Sequence, residues 1–160
     1  MPNLETPKVL KQWRALRRWP AGGRLFGWLI GRVVPYAGTV HPRVRHLEPG
    51  VAEVTMSDRR GVRNHLRSVH AVATANLGEI AGNLALMSLQ PPKTRWIVTG
   101  ITARYGKKAR GVLVARCEVP PLDWSVEGDH DGRVEVRDQS GDVVTTLDVS
   151  WRLGPSASAS

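Results

Sequence analysis

The sequence has a single cysteine, Cys117, so an intramolecular disulfide is excluded and a reducing cytoplasm is the expected setting. It has no apolar run near the roughly 20 residues that a membrane-spanning helix needs. The longest such run near the N-terminus, residues 25–31, is fenced by Arg24 and Arg32 and lacks the layout of a signal peptide. Metal-ligand spacing is missing too: His41, His46, His65 and His130 have no cysteine or carboxylate suitably placed, so no metal site is expected. Acidic residues are scarce, 14 Asp and Glu against 23 Lys and Arg, and the net charge of +9 favours an anionic partner: nucleic acid, acidic lipid or a phosphate-bearing cofactor. Much of that charge is local, since residues 1–38 hold Lys8, Lys11, Arg14, Arg17, Arg18, Arg24 and Arg32 against Glu5 alone. No internal repeat is present, and 160 residues suit one domain.

Residues 8–19 place Val9, Leu10, Trp13 and Leu16 at helical spacing, with Lys11, Arg14, Arg17 and Arg18 largely opposite. This predicts a basic amphipathic helix, broken by Pro20, Gly22 and Gly23, then a second apolar piece over 25–34 that ends at Pro35. Such an arm, residues 1–38, either docks on acidic lipid or packs on its own domain or on a dimer mate. From residue 39 the period changes to two. Pro49 and Gly50 form a turn between strands at 43–47 and 51–56, and further strands are expected at 95–105, 111–119, 133–137 and 143–152. In the last strand Val143, Thr145, Leu147, Val149 and Trp151 line one face and Val144, Thr146, Asp148, Ser150 and Arg152 the other, and one face is core. Cys117 shares parity with Leu113, Ala115 and Val119, which makes it a core residue rather than a reactive thiol. The small, polar tail 155–160 is expected to be disordered.

Between the two strand groups, residues 71–89 read as one long helix that stops at Pro91 and Pro92. Its apolar residues, among them Val72, Leu77, Ile80, Leu84 and Met87, spread around the full circumference, so it must be covered on almost all sides. A curved antiparallel sheet wrapped around one helix does this, which gives an α+β fold over residues 39–154. Within the helix Asn76, Glu79 and Asn83 fall on one stripe. A buried Glu79 is either neutralised by a structural partner or kept for use on a substrate. Gly78 and Gly82 permit close approach of a ligand or of packing neighbours. The polar segment 63–70 delivers the chain to the helix N-terminus, where unpaired N–H groups suit a developing oxyanion.

The residues Asn64, His70, Ala71 and Glu79 resemble the motif of the hotdog-fold acyl-CoA thioesterases: Asn, five residues, His-Gly, seven residues, then Asp or Glu on the central helix. The likeness is to the phenylacetate-pathway type and to a bacterial subgroup catalogued as domain of unknown function 4442. It runs from about Val34 to Leu153 and includes the loop 105–111. The chain departs from the motif at Ala71, where the family has Gly. The resemblance implies a hotdog fold that hydrolyses acyl-CoA thioesters. Glu79 would attack the carbonyl or activate water, and the backbone N–H of Ala71 would polarise it. Asn64 would orient water or the carboxylate, His70 would shape the loop, and Asn83 would be a polar helper. Lys107, Lys108 and Arg110 would receive the phosphates of coenzyme A, or else form a solvated turn. No cofactor is implied beyond the coenzyme A of the substrate, and homodimers or dimers of dimers are expected, with sites built across the interface. Two other readings stand beside hydrolysis: non-catalytic binding of acyl-CoA or an acyl chain, and an interaction protein whose basic arm meets acidic membrane or nucleic acid. The hotdog reading expects no nucleic acid.

Overall fold

The structure, a computed structural model, describes residues 5–156. Three helices, α1 (Lys8–Leu16), α2 (Gly22–Val33) and α3 (Pro35–Gly38), precede a hairpin of β1 (Arg43–Glu48) and β2 (Val51–Met56). A short 3-10 turn at Arg60–Val62 leads to the long helix α4 (Ala71–Met87). Then come β3 (Thr94–Tyr105), β4 (Leu113–Glu118), β5 (Gly128–Arg137) and β6 (Val143–Pro155). The six strands form one antiparallel sheet in the order β1-β2-β4-β5-β6-β3. Its inner face holds α4, which packs on β2, β4, β5 and β6. This is the hotdog arrangement.

The core lies between α4 and the sheet. Ala52, Val54, Leu113, Ala115, Val134, Val136, Leu147, Val149 and Trp151 have no measurable exposure, and Leu77, Ala81, Ala85 and Leu86 of α4 are equally covered. Gly78 and Gly82 serve packing: a Cβ on Gly78 would crowd Leu147, and one on Gly82 would press the Trp151 ring at 3.2 Å. Cys117 is buried, and burial, with the Glu118 carboxylate adding to it, pushes its thiol up to about 12. The β1–β2 turn is pinned to the far end of α4. Gly50, at φ +78°, donates its N–H to Ser88 Oγ at 2.7 Å and accepts from Val119 N–H at 2.7 Å.

α1 packs on its own chain, burying Val9, Leu10 and Trp13, and Trp13 meets Phe26 of α2 with ring centroids 5.6 Å apart. The helix ends at Leu16, short of the expected residue 19. α2 starts at Gly22, three residues earlier than expected, because Gly22 and Gly23 are contact residues and not breakers. A Cβ on either would collide with the carbonyl of Leu16 or of Val44. Pro155, expected to open a disordered tail, instead closes β6 opposite Thr94, and Ser156 N–H donates to Lys93 O at 2.8 Å. Residues 157–160 lie outside the described residues.

Two features depart from a helix covered all round. Val72 is half exposed, and Ala75, Glu79, Asn83 and Met87, at successive turns, are only partly buried, so α4 keeps one open stripe. Beyond it lies β3, a sheet-edge strand with no fully buried residue, whose Ile97, Ile101 and Tyr105 are exposed.

Candidate active site

The segment that enters α4 is built by its own polar groups. Asn64 Oδ1 accepts from Leu66 N–H at 2.9 Å, Ser68 N–H at 3.2 Å and Ser68 Oγ at 3.1 Å, and Arg67 takes up a positive φ of 57° to close the loop. The carbonyl side of Asn64 is therefore used by the loop, and its amide side is what it can offer a substrate. Asp58 ties this loop to the β3–β4 turn, accepting from Arg63 Nε at 2.6 Å and from Gly111 N–H at 3.0 Å. Burial pushes the Asp58 carboxyl up, but these donors outweigh it and hold it below the usual Asp value.

His70 is the N-cap of α4. Its Nδ1 accepts from Val72 N–H at 3.1 Å, and its carbonyl accepts from Ala73 N–H at 2.9 Å and Thr74 N–H at 3.1 Å. Its own N–H is taken by Val62 O at 2.7 Å. Three donors of the first turn are thus satisfied, while the N–H of Ala71 has no hydrogen-bond partner among the described residues. Ala71 lines a cavity of about 320 Å³ together with Asn64, Thr74, Tyr105, Lys107 and Lys108. Ala71 has ordinary right-handed helical backbone, so no glycine conformation is required there.

Glu79 lies on the open stripe and does not line that cavity. It is half-buried in the chain, not fully enclosed as the sequence suggested. Its partner is Asn83, whose Nδ2 donates to Glu79 Oε1 at 3.4 Å. The orientation of Asn83 is set from the sheet, because Trp151 Nε1–H donates to Asn83 Oδ1 at 2.8 Å. An indole N–H only donates, so the amide oxygen must face it and the NH₂ must face Glu79. Trp151 was legible as a core residue, but its role in aiming Asn83 was not. Asn76 turns away from the stripe: it is buried, and its Nδ2 donates to Tyr36 O at 3.0 Å and Thr39 Oγ1 at 3.2 Å.

Of the three basic candidates, Lys107 is held by Asp138 at 2.9 Å and Asp142 at 2.5 Å, and Asp142 and Asp138 together raise its pKa. Lys108 and Arg110 are exposed, and both line a second cavity of about 370 Å³ with Lys107 and Gln139. The structure thus brings Asn64, Ala71, Lys107 and Lys108 to one cavity, and Glu79 with Asn83 to a neighbouring open face. Among the described residues no group of three or more His, Cys, Asp and Glu could hold a metal ion.

A structural-genomics protein, target APC5556, superposes with a TM-score of 0.80 at 29% identity, over 92% of this chain and 99% of its own. A Staphylococcus aureus protein described as thioesterase enzyme SAV0944 gives 0.68 at 20% identity over 76% of this chain and 99% of its own. The Haemophilus influenzae thioesterase HI1161 gives 0.70 at 13% identity over 81% and 87%. At such identities these two bear on the fold, and they place it among hotdog proteins. No curated protein is significantly similar to the chain. The family model described as "Domain of unknown function (DUF4442)" matches residues 22–153, most of the chain, and the protein belongs to that family.

Proposed function

We propose that the protein hydrolyses acyl-CoA thioesters in the cytoplasm. The observation that carries this reading is the unpaired N–H of Ala71, a residue that lines a cavity shared with Asn64 and the Lys107–Lys108 turn. An unpaired N–H at a helix N-terminus beside such a cavity can donate to the oxygen of a thioester carbonyl, and that oxygen gains charge as the carbon is attacked. Glu79 accepts a proton from water, the water oxygen adds to the carbonyl carbon, and collapse breaks the C–S bond and releases coenzyme A as its thiol. Asn83 positions the Glu79 carboxylate, His70 assigns the free donor to residue 71 by capping Val72, and the Asn64 amide orients water. Lys108 and Arg110 receive phosphates of coenzyme A, with Lys107 partly offset by its two aspartates.

The working unit in this reading is a homodimer, or a dimer of such dimers. Ala71 and Glu79 are eight residues apart, about 12 Å along a helix, too far to meet at one carbonyl in one chain. Residue 71 of one copy and Glu79 of the other can meet if two α4 helices lie side by side. The unpaired edge of β3, with Ile97 and Ile101 exposed, is the natural seam.

The test is thiol release from a panel of aliphatic and aromatic acyl-CoA esters. Glu79→Gln and Glu79→Ala are expected to lose roughly 10²–10⁴-fold in kcat with an unchanged circular-dichroism spectrum. Rates equal to wild type would remove Glu79 from the chemistry. A second reading rests on the Ala71 methyl beside the donor: saturable acyl-CoA binding with no turnover in the wild type would make this a binding protein instead.

A further inference from the structure

Between Thr6 and Leu47 the chain has nine Lys and Arg and not one Asp or Glu. In the fold this segment presents an apolar face as well as charge, and the two meet on α2. Gly23, Gly27 and Gly31 seat that helix by its backbone. A Cβ on Gly23 or Gly27 would collide with the carbonyl of Val44 or Pro42, and one on Gly31 would come within 2.7 Å of Gly38 Cα. With that side fixed, the opposite side must point outward. Leu25, Trp28, Leu29 and Val33 are 43%, 58%, 38% and 82% exposed, and Trp19 and Tyr36 flank them at 70% and 60%.

Alongside runs a groove of about 880 Å³ lined by Arg24, Arg32, Arg43 and Arg59, with Trp28 in its lining too and no carboxylate in its wall. None of the four arginines forms an ion pair with the described residues. Arg59, partly buried, donates its Nη2 to Thr39 O and keeps a buried Nε without a partner, so only the rest of its guanidinium is on offer. Arg32 lies over the Trp28 ring at 5.6 Å, which joins the cationic groove to the apolar face.

We propose that the outer face of α2 docks on anionic lipid bilayers: Leu25, Trp28, Leu29 and Val33 enter the interfacial zone while Arg24, Arg32, Arg43 and Arg59 take lipid phosphates. An amphipathic helix with aromatic side chains at the headgroup level and guanidinium groups beside it binds such a surface by apolar burial and phosphate pairing together. The charge decides the occupant. A second copy set face to face would bring the same arginines against each other with nothing to neutralise them, whereas a phosphate surface complements them. The basic amphipathic segment at 8–19 is not that surface, since α1 buries its apolar side within the chain. This docking is independent of whether the site on α4 hydrolyses its ligand.

The test uses the full chain with sedimented vesicles of phosphatidylcholine, alone or mixed with phosphatidylglycerol. Wild type is expected to partition onto the phosphatidylglycerol vesicles only and to release as salt is raised. Leu25→Gln/Val33→Gln and Arg24→Gln/Arg32→Gln, all at exposed positions, should each lose roughly tenfold or more in partition coefficient while keeping the wild-type spectrum. Equal partition onto both vesicle types, no partition at low salt, or undiminished binding by both variants overturns the proposal. So does tighter binding to a DNA duplex that competes the protein off the vesicles, or a Leu25→Gln/Val33→Gln variant whose only change is a smaller assembly mass.

Discussion

Trp151→Phe tests whether the sheet aims the carboxylate of α4. The indole is fully buried between Gly82 and Gly132 and donates to Asn83 at 2.8 Å. Phe keeps a ring in that slot, so the packing loss stays well below the roughly 3–5 kcal/mol of a Trp-to-Ala truncation. The lost hydrogen bond adds roughly 1 kcal/mol. A total of about 2 kcal/mol corresponds to a Tm lower by about 4–8 °C for a chain of this size. Activity should fall by more than stability requires, because Asn83 is then free to turn its oxygen toward Glu79. The assay is kcat for thiol release, measured well below the variant's Tm and normalised to folded protein, in a cycle with Asn83→Ala. If Trp151 acts through Asn83, the double variant is no slower than Asn83→Ala alone. Additive losses, or a Trp151→Phe enzyme of wild-type kcat despite its lower Tm, would refute the relay.

The other expectations are simpler. His70→Ala removes the cap of α4 and should cost about 1 kcal/mol by denaturant titration. It should also lower kcat, since Val72 N–H is then a second unpaired donor beside Ala71. Gly27→Ala places a methyl against the Pro42 carbonyl and should destabilise by roughly 1–3 kcal/mol, read as a lower denaturation midpoint with unchanged slope. Asp58 has a depressed pKa, so its contribution is present above its unfolded value of 3.8 and is lost as pH falls through the lower folded value. Tm of wild type should therefore fall more steeply on acidification below that value than Tm of Asp58→Asn. With its thiol pushed up to about 12, Cys117 should stay silent to a thiol reagent at pH 8 until denaturant is added, so released coenzyme A is read without background.

The fold was legible where one physical pattern dominates. The apolar circumference of residues 71–87 demands cover, and the alternation of 145–151 supplies it, with Leu147, Val149 and Trp151 all buried, while at the start of the strand Val144 and not Val143 is the buried residue. The first half of β5 was illegible because Gly128, Asp129, His130, Asp131 and Gly132 hold no apolar alternation. That stretch is a strand because β6 runs beside it and pairs with it. The glycines of α2 misled for the opposite reason. Locally they break helices, and here they shorten the distance between helix and strand, a tertiary gain that intrinsic propensity does not record.

The site divides in the same way. Motif spacing put Asn64, His70, Ala71 and Glu79 forward, yet spacing along a helix cannot say which N–H is left unpaired. That depends on the His70 ring reaching back to Val72, and on Ala73 and Thr74 being served by the His70 carbonyl. Nor can it say that Glu79 faces outward. The inward residues of α4 are matched to β2, β4, β5 and β6, and the sheet of one chain runs out at β3 before it reaches the Glu79 stripe. In the proposed dimer the half-open carboxylate and the exposed β3 edge face the same second copy. Ile97→Lys/Ile101→Lys should therefore abolish dimers in sedimentation and acyl-CoA turnover together. A monomeric variant with full activity would mean that donor and carboxylate meet within one chain, against the 12 Å that α4 places between them.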